Sequence, residues 1–127
     1  MDIFFRPRIS SLPEHIAVKW SPGVLNEGFV PFPKRLLRCV SKIFQGSSGM
    51  DEMRTVLAVV DFRRPGAKKP PSLDYLAFVA GMDVNEFRNR LDTVRSKGLI
   101  VTRELDDRLE VEIEPLLERI MQESEKE

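Results

Sequence analysis

The sequence has very few of the residues that most often build disulfides, metal sites and acid–base centres. Cys39 is its single cysteine and His15 its single histidine. One cysteine excludes an internal disulfide and any zinc site built from several cysteines. His15 lies in a proline-rich segment, where a surface or strand-edge position is favoured over a catalytic base. Since a glycine-rich phosphate loop is also missing, we expect a protein that is not an enzyme and has no metal, cofactor or small-molecule ligand.

Long apolar runs and an excess of one charge are missing too. The longest apolar run, Val56 to Val60, is far shorter than the roughly 20 residues of a membrane helix. Residues 1–5 are too short for the apolar core of a signal peptide, so we expect a cytoplasmic protein without a membrane partner. The 20 basic and 20 acidic residues cancel, and no strong overall field draws the chain towards nucleic acid.

The charges are nevertheless distributed unevenly along the chain. Residues 1–53 carry seven basic and five acidic groups, a net +2, and residues 54–108 carry eleven and eight, a net +3. Residues 109–127 carry two and seven, a net −5. The middle of the chain is therefore mildly basic, and its end is acidic.

A length of 127 residues with 42% hydrophobic and 31% charged side chains is typical of one globular domain. Five of the nine prolines fall within residues 1–33, which predicts an extended arm over 1–32. In that arm, the alternation of Ile16, Val18 and Trp20 favours a short strand. A folded domain with a trailing helix is expected over 33–122, and an acidic tail over 123–127.

Five stretches after the arm have the apolar spacing of amphipathic helices. The first runs from Lys34 to Phe44, and the second follows Ser48 and ends near Phe62, with Met53, Val56, Leu57 and Val60 on its buried side. Ser72 caps a third helix, Leu73 to Ala80, which Gly81 ends in a left-handed conformation. Asp83 caps a fourth helix, with Val84, Phe87, Leu91 and Val94 buried, and a fifth begins at Glu114.

Between the fourth and fifth helices the apolar period changes to two, which predicts a β hairpin. A three-residue turn over 106–108 would pair Leu105 with Leu109 and Val101 with Ile113. A two-residue turn would break this apolar match, so we expect the three-residue turn.

The third predicted helix, the turn at Gly81, the fourth helix and the hairpin together predict a winged helix-turn-helix, in which the fourth helix is the second helix of the motif. The expected fold class is mainly α with a small antiparallel β hairpin (α+β). The second helix of this motif usually enters the major groove of DNA, and its outward side here carries amides and arginines suited to base edges. We expect Asn85, Arg88 and Asn89 to approach bases. We expect phosphate contacts from Arg95, Lys97, Arg108, Lys68 and Lys69.

Two surfaces admit a second interpretation. Glu86 and Asp92 lie on the outward side of the same helix, which equally favours a solvated or protein-binding face. The last helix could pack its apolar residues on its own domain, or use them in a dimer seam with a second copy, as many small DNA-binding domains do. The predicted homodimer seam consists of Leu116, Leu117, Ile120 and Met121.

With these residues assigned, the chain resembles the N-terminal winged-helix domain of DnaD-type primosomal proteins and related phage replisome organisers. The similarity covers roughly Gly28 to Ile120. It includes the aromatic-proline segment at 28–33, the helix-turn-helix segments at 71–77 and 81–87, and the residues at 97–100 and 115–117.

The resemblance implies a part in DNA replication initiation or primosome assembly. It also implies self-association and contact with a replication protein, with DNA binding mainly in a separate C-terminal domain that has no counterpart in this sequence. Weak direct DNA binding is therefore expected. Two alternatives remain open: a transcriptional regulator that binds a palindromic operator, and a protein–protein interaction module without DNA binding.

Overall fold

A computed structural model of the chain describes residues 19–21, 23–62 and 69–126. The chain divides into two units, Met1–Pro31 and Phe32–Glu127. In the first unit, Lys19 and Trp20 are helical and residues 23–27 form a turn. The expected strand is therefore wrong at Trp20, because an alternation of only three residues does not define a strand. Its other residues, like most of the predicted arm, lie outside the described residues.

The second unit consists of helices and one hairpin over its described residues, 32–62 and 69–126, which confirms the mainly α fold with a small antiparallel hairpin. α2, α3 and α4 pack on one another, and α1 packs against α5. With the hairpin after α4, this is the layout of a winged helix-turn-helix. The helices are α1 (Lys34–Ile43), α2 (Gly49–Phe62), α3 (Leu73–Ala80), α4 (Val84–Ser96) and α5 (Glu114–Ser124), and the strands are β1 (Val101–Leu105) and β2 (Arg108–Glu112).

The turn between α3 and α4 is built as the sequence predicts. The Ser72 hydroxyl accepts the backbone N–H of Tyr75 at 3.1 Å and starts α3. The Asp83 carboxylate accepts the N–H of Glu86 at 2.8 Å and starts α4. Gly81 ends α3 with φ at 77°, a conformation that strains most L-residues. These local signals therefore fix the direction of both helices.

The core contains the predicted stripe of α4, with Phe87, Leu91 and Val94 buried. The buried face of α2 is rotated from the predicted one. Val56 is buried as expected, but Val59 replaces Val60, and the polar side chains of Glu52 and Thr55 are fully buried beside them. The prediction was wrong here because polar residues were assumed to face solvent, whereas both have hydrogen-bond partners.

The hairpin register differs from the predicted one by a single residue. The turn has two residues, with Asp106 at φ 60°, a left-handed conformation that aspartate tolerates better than most residues. The expected apolar pairing does not stabilise the hairpin, because Val101 and Leu105 of β1 are both exposed. The observed pairs are Leu105 with Arg108, Glu104 with Leu109, and Val101 with Glu112.

A second set of backbone hydrogen bonds also fixes β2. The N–H of Leu109 donates to the carbonyl of Pro71 at 3.0 Å, and the N–H of Leu73 donates to the carbonyl of Asp107 at 2.8 Å. Ser72 thereby forms an isolated bridge with Arg108. The segment before α3 thus pairs with β2, which ties the hairpin to the helix-turn-helix.

Candidate nucleic-acid interface on the fourth helix

The outward face of α4 presents two amide side chains one helical turn apart. Asn85 and Asn89 are both exposed. Within the described residues neither side chain has a hydrogen-bond partner; the Thr93 hydroxyl donates to the backbone carbonyl of Asn89 and not to its side chain. Residues at this spacing lie about 5–6 Å apart at Cβ. Two adjacent amide groups are therefore available to an external ligand.

The arginines that flank these amides are bound to the wing. Arg88 Nη1 lies 3.0 Å from Glu104 Oε1, and Arg95 Nη1 donates to the Thr102 hydroxyl at 2.9 Å. The other terminal nitrogen of Arg95 pairs with Asp92. Thr102 and Glu104 lie on the same face of β1 because strand side chains alternate. The hairpin is thus held against α4, and both guanidinium charges are partly neutralised.

Lys97, a predicted phosphate contact, points inward instead. Its ammonium group donates to Glu52 Oε1 at 2.5 Å, and the Ser48 hydroxyl donates to Glu52 Oε2 at 2.7 Å. The Glu52 side chain is fully buried, while that of Lys97 is one-third exposed. Lys97 therefore links the C-terminal end of α4 to the first turn of α2.

Of the cations predicted on the wing and in the loop before α3, one is bound within the domain and one is exposed. Arg108 is half-buried, and its Nη1 donates to the carbonyl of Pro70 at 2.6 Å. This bond reinforces the pairing of the hairpin with the segment before α3. Lys69 is exposed, with no ion pair to any described residue. Lys68 lies outside the described residues.

A partly exposed ionic cluster that joins α2 to α4 was not predicted from the sequence. Arg54 donates to Asp51 Oδ1 at 2.7 Å and to the carbonyl of Ala80 at 2.9 Å. Arg90 lies 3.5 Å from Asp51 Oδ2. The hydrogen bond from Arg54, together with the charges of Arg54 and Arg90, lowers the pKa of Asp51 despite partial desolvation. The available signal was the spacing of Asp51 and Arg54, three residues apart on one helix.

Two of the four residues of the predicted dimer seam on α5 are buried, and the other two are exposed. Leu116 and Ile120 are buried on the side of α5 that belongs to the core of its own domain. Their assignment to an interface between copies is therefore wrong, and the packing alternative applies to them. Leu117 and Met121 are 45% and 44% exposed, so they alone remain available for self-association.

Across residues 19–21, 23–62 and 69–126, no helix combines the length and apolar character needed to cross a bilayer. The same part of the chain contains no group of three or more side chains that could hold a metal ion. Comparison of the chain with protein families, curated proteins and solved structures found no match.

Proposed function

We propose that this is a cytoplasmic winged-helix DNA-associated protein that acts in replication initiation or primosome assembly and self-associates. The observation that carries the DNA proposal is the pair of exposed amides of Asn85 and Asn89, neither of which has a hydrogen-bond partner among the described residues. They lie on the helix that enters the major groove in this fold. An asparagine amide can bond both N6 and N7 of adenine, so this face suits base contacts. The assignment to replication rests on the sequence resemblance.

The charges around these amides favour weak binding. Arg88 and Arg95 are in ion pairs whose side chains are 41–63% exposed. Exposed pairs contribute about 0–1 kcal/mol, so a phosphate can replace the carboxylate at small cost. Lys97 and Arg108 are less available, because both bind groups within the domain. Among the described candidates, Lys69 and Arg95 are left for phosphate, together with Arg88, which we reassign from bases to phosphate because Glu104 holds its guanidinium at the wing.

A salt titration of DNA binding tests this proposal. Three phosphate contacts predict a slope of log affinity against log salt of about −3. Fluorescence anisotropy with labelled duplex and single-stranded DNA would measure it. Failure to bind either form at low salt would refute the DNA proposal.

Asn89→Ala tests whether α4 contacts bases. It should reduce the preference among duplex sequences by about 1–3 kcal/mol while leaving the salt slope unchanged. Asn26→Ala is the matched control, because Asn26 is exposed in the first unit. Equal selectivity in both variants would exclude Asn89 as a base contact.

Self-association is tested at the exposed pair on α5. We expect Leu117→Glu combined with Met121→Glu to reduce the mass measured by light scattering. Both side chains are nearly half exposed, so the substitutions leave the core intact. An unchanged mass would contradict this role for α5.

A second candidate function is a protein interaction module without DNA binding. The specific observation in its favour is that all four cations from Arg88 to Lys97 are in ion pairs within the domain. The same DNA titration separates the two candidates. Strong discrimination of one palindrome from random duplex would instead favour an operator-binding regulator.

A further inference from the structure

An apolar groove lies between α1 and the start of α2, on the second unit. It encloses about 370 Å³, and Ser41 is the one polar side chain among the described residues that line it. Leu37 and Met50 are 64% and 65% exposed, so the groove opens to solvent. Its other side chains come from Phe32, Val40, Phe44 and Met53.

Gly49 sets how closely the two walls of the groove approach. A Cβ at this position would lie 2.1 Å from the carbonyl oxygen of Phe44, far inside van der Waals contact. Glycine therefore lets the first turn of α2 pack directly on the end of α1.

A row of cations runs along the exposed side of α1. Lys34, Arg38 and Lys42 recur every four residues of this helix, which is kinked at Cys39; Lys34 and Arg38 lie next to the groove-lining Ser41, and Lys42 lies further round the helix. All three are exposed, and none forms an ion pair with any described residue. α1 contains no acidic residue. In contrast to the paired cations of α4, these charges are available to a partner.

We propose that this groove binds an acidic amphipathic helix from another protein. Its leucine-type side chains would fill the apolar groove, while its carboxylates would face Lys34 and Arg38. A helix in a groove between two helices is a recurrent mode of peptide recognition. The proposal uses none of the residues of the α4 interface and is independent of the proposed function.

The chemistry of the groove distinguishes this partner from DNA. A phosphate backbone could bind the three cations but would leave the apolar side chains of Leu37 and Met50 in water. A ligand that combines carboxylates with apolar side chains satisfies both surfaces at once. Polar–apolar complementarity of this kind fixes the orientation of the ligand as well as its affinity.

The acidic helix of a second copy fits less well. α5 exposes Leu117 and Met121, but Glu123 and Glu125 are already paired with cations of the same chain. Glu114 also has an interaction within the chain. Glu118 is then the only carboxylate of α5 without a partner among the described residues, against three unpaired cations.

Two synthetic helical peptides of about 16 residues, roughly four turns, test the proposal. Both carry the same leucines at i, i+4 and i+7, and one has glutamate where the other has lysine. By fluorescence anisotropy we expect the glutamate peptide to bind about tenfold or more tighter than the lysine peptide, and added salt to weaken it. Equal binding, or binding of neither peptide, overturns the proposal.

Variants of the full chain locate the site. Lys34→Glu with Arg38→Glu should reverse the preference between the peptides, and Leu37→Glu should abolish binding of both. Leu105→Glu is the matched control, since Leu105 is an exposed leucine on the wing. Thermal melts verify that each variant is folded, and R38E alone repeats the charge test if the double variant unfolds.

Two other outcomes would replace the proposed partner. If Lys34→Glu with Arg38→Glu weakens DNA binding while peptide binding is unaffected, the stripe binds nucleic acid. If the unliganded protein self-associates and Leu37→Glu makes it monomeric, the occupant is a second copy. Either result overturns the assignment of the groove to an acidic helix.

Discussion

Replacing Lys97 with Met should destabilise the second unit substantially, although the residue is on the surface end of α4. Its ammonium group is 2.5 Å from Glu52 Oε1, and the Glu52 side chain has no exposed surface. Removing one partner of a buried ion pair costs about 3–5 kcal/mol, because the remaining charge stays buried. Lys97 is one-third exposed and Ser48 keeps its hydrogen bond to Glu52, so we expect a smaller loss of about 2–3 kcal/mol.

A double-mutant cycle with Glu52→Gln isolates the pair. The neutral amide removes the buried charge, so the Glu52→Gln, Lys97→Met double variant should be more stable than Lys97→Met alone by about 1 kcal/mol or more. Urea and thermal unfolding would measure these differences, and 2 kcal/mol corresponds to roughly 8 °C or more in Tm. Lys69→Met is the control, because Lys69 is exposed and should change stability by about 0.5 kcal/mol or less.

The same variant tests whether Lys97 binds phosphate. At a temperature where Lys97→Met is folded, its salt slope for DNA binding should equal that of the parent protein, because Lys97 is committed to Glu52. A slope smaller in magnitude by about 1 would instead make Lys97 a phosphate contact. Our reasoning about the pair is refuted if Lys97→Met and Lys69→Met unfold at the same urea concentration.

Three further substitutions have expected outcomes that unfolding experiments can check. Gly49→Ala should lower the free energy of unfolding by about 1–3 kcal/mol, because the new Cβ would clash with the carbonyl of Phe44. Gly23→Ala should leave it unchanged, because no atom lies within 4 Å of a Cβ at that position. Equal effects of the two substitutions would contradict the close approach at Gly49. Ser72→Ala should cost about 1 kcal/mol by removing the cap of α3, and an unchanged urea midpoint would exclude a role for this cap. Asp51 has a lowered pKa in the folded state, so its ionised form stabilises the fold above about pH 4 and that contribution is lost as the pH falls further. Asp51→Asn should therefore be less stable than the parent protein near pH 6, with the difference shrinking towards pH 2; a constant difference would exclude this ionisation.

The parts of the fold that could be predicted are those set by neighbouring residues. The caps at Ser72 and Asp83 and the left-handed Gly81 each act within one turn of the chain, so the sequence pattern is sufficient to locate them. The buried stripe of α4 was also predictable, because it consists only of apolar side chains. Local hydrogen bonds and helical periodicity thus account for the helix-turn-helix.

The parts that could not be predicted depend on partners distant in sequence. Glu52 is buried because Lys97, forty-five residues later, donates to it, and no local rule pairs these two positions. The buried face of α2 differs from the predicted one for the same reason, because it includes Glu52, whose partner Lys97 is distant in sequence. The predicted phosphate role of Lys97 assumed that a lysine near a helix end faces solvent, which holds only where no buried carboxylate lies within its reach.

The hairpin register is a further feature that could not be predicted, because the apolar match on which the prediction was based is not buried. Because strand side chains alternate, a shift of one residue changes which face of β2 lies opposite each position of β1. In the observed register Arg103 lies opposite Glu110 and pairs with it, while Glu104 lies on the other face and binds Arg88. The sequence analysis predicted that Arg88 is available to DNA because it considered the outward side of α4 without the side chains of the wing. The charge that α4 presents to a ligand therefore depends on Glu104 of the wing as well as on the arginines of α4 itself.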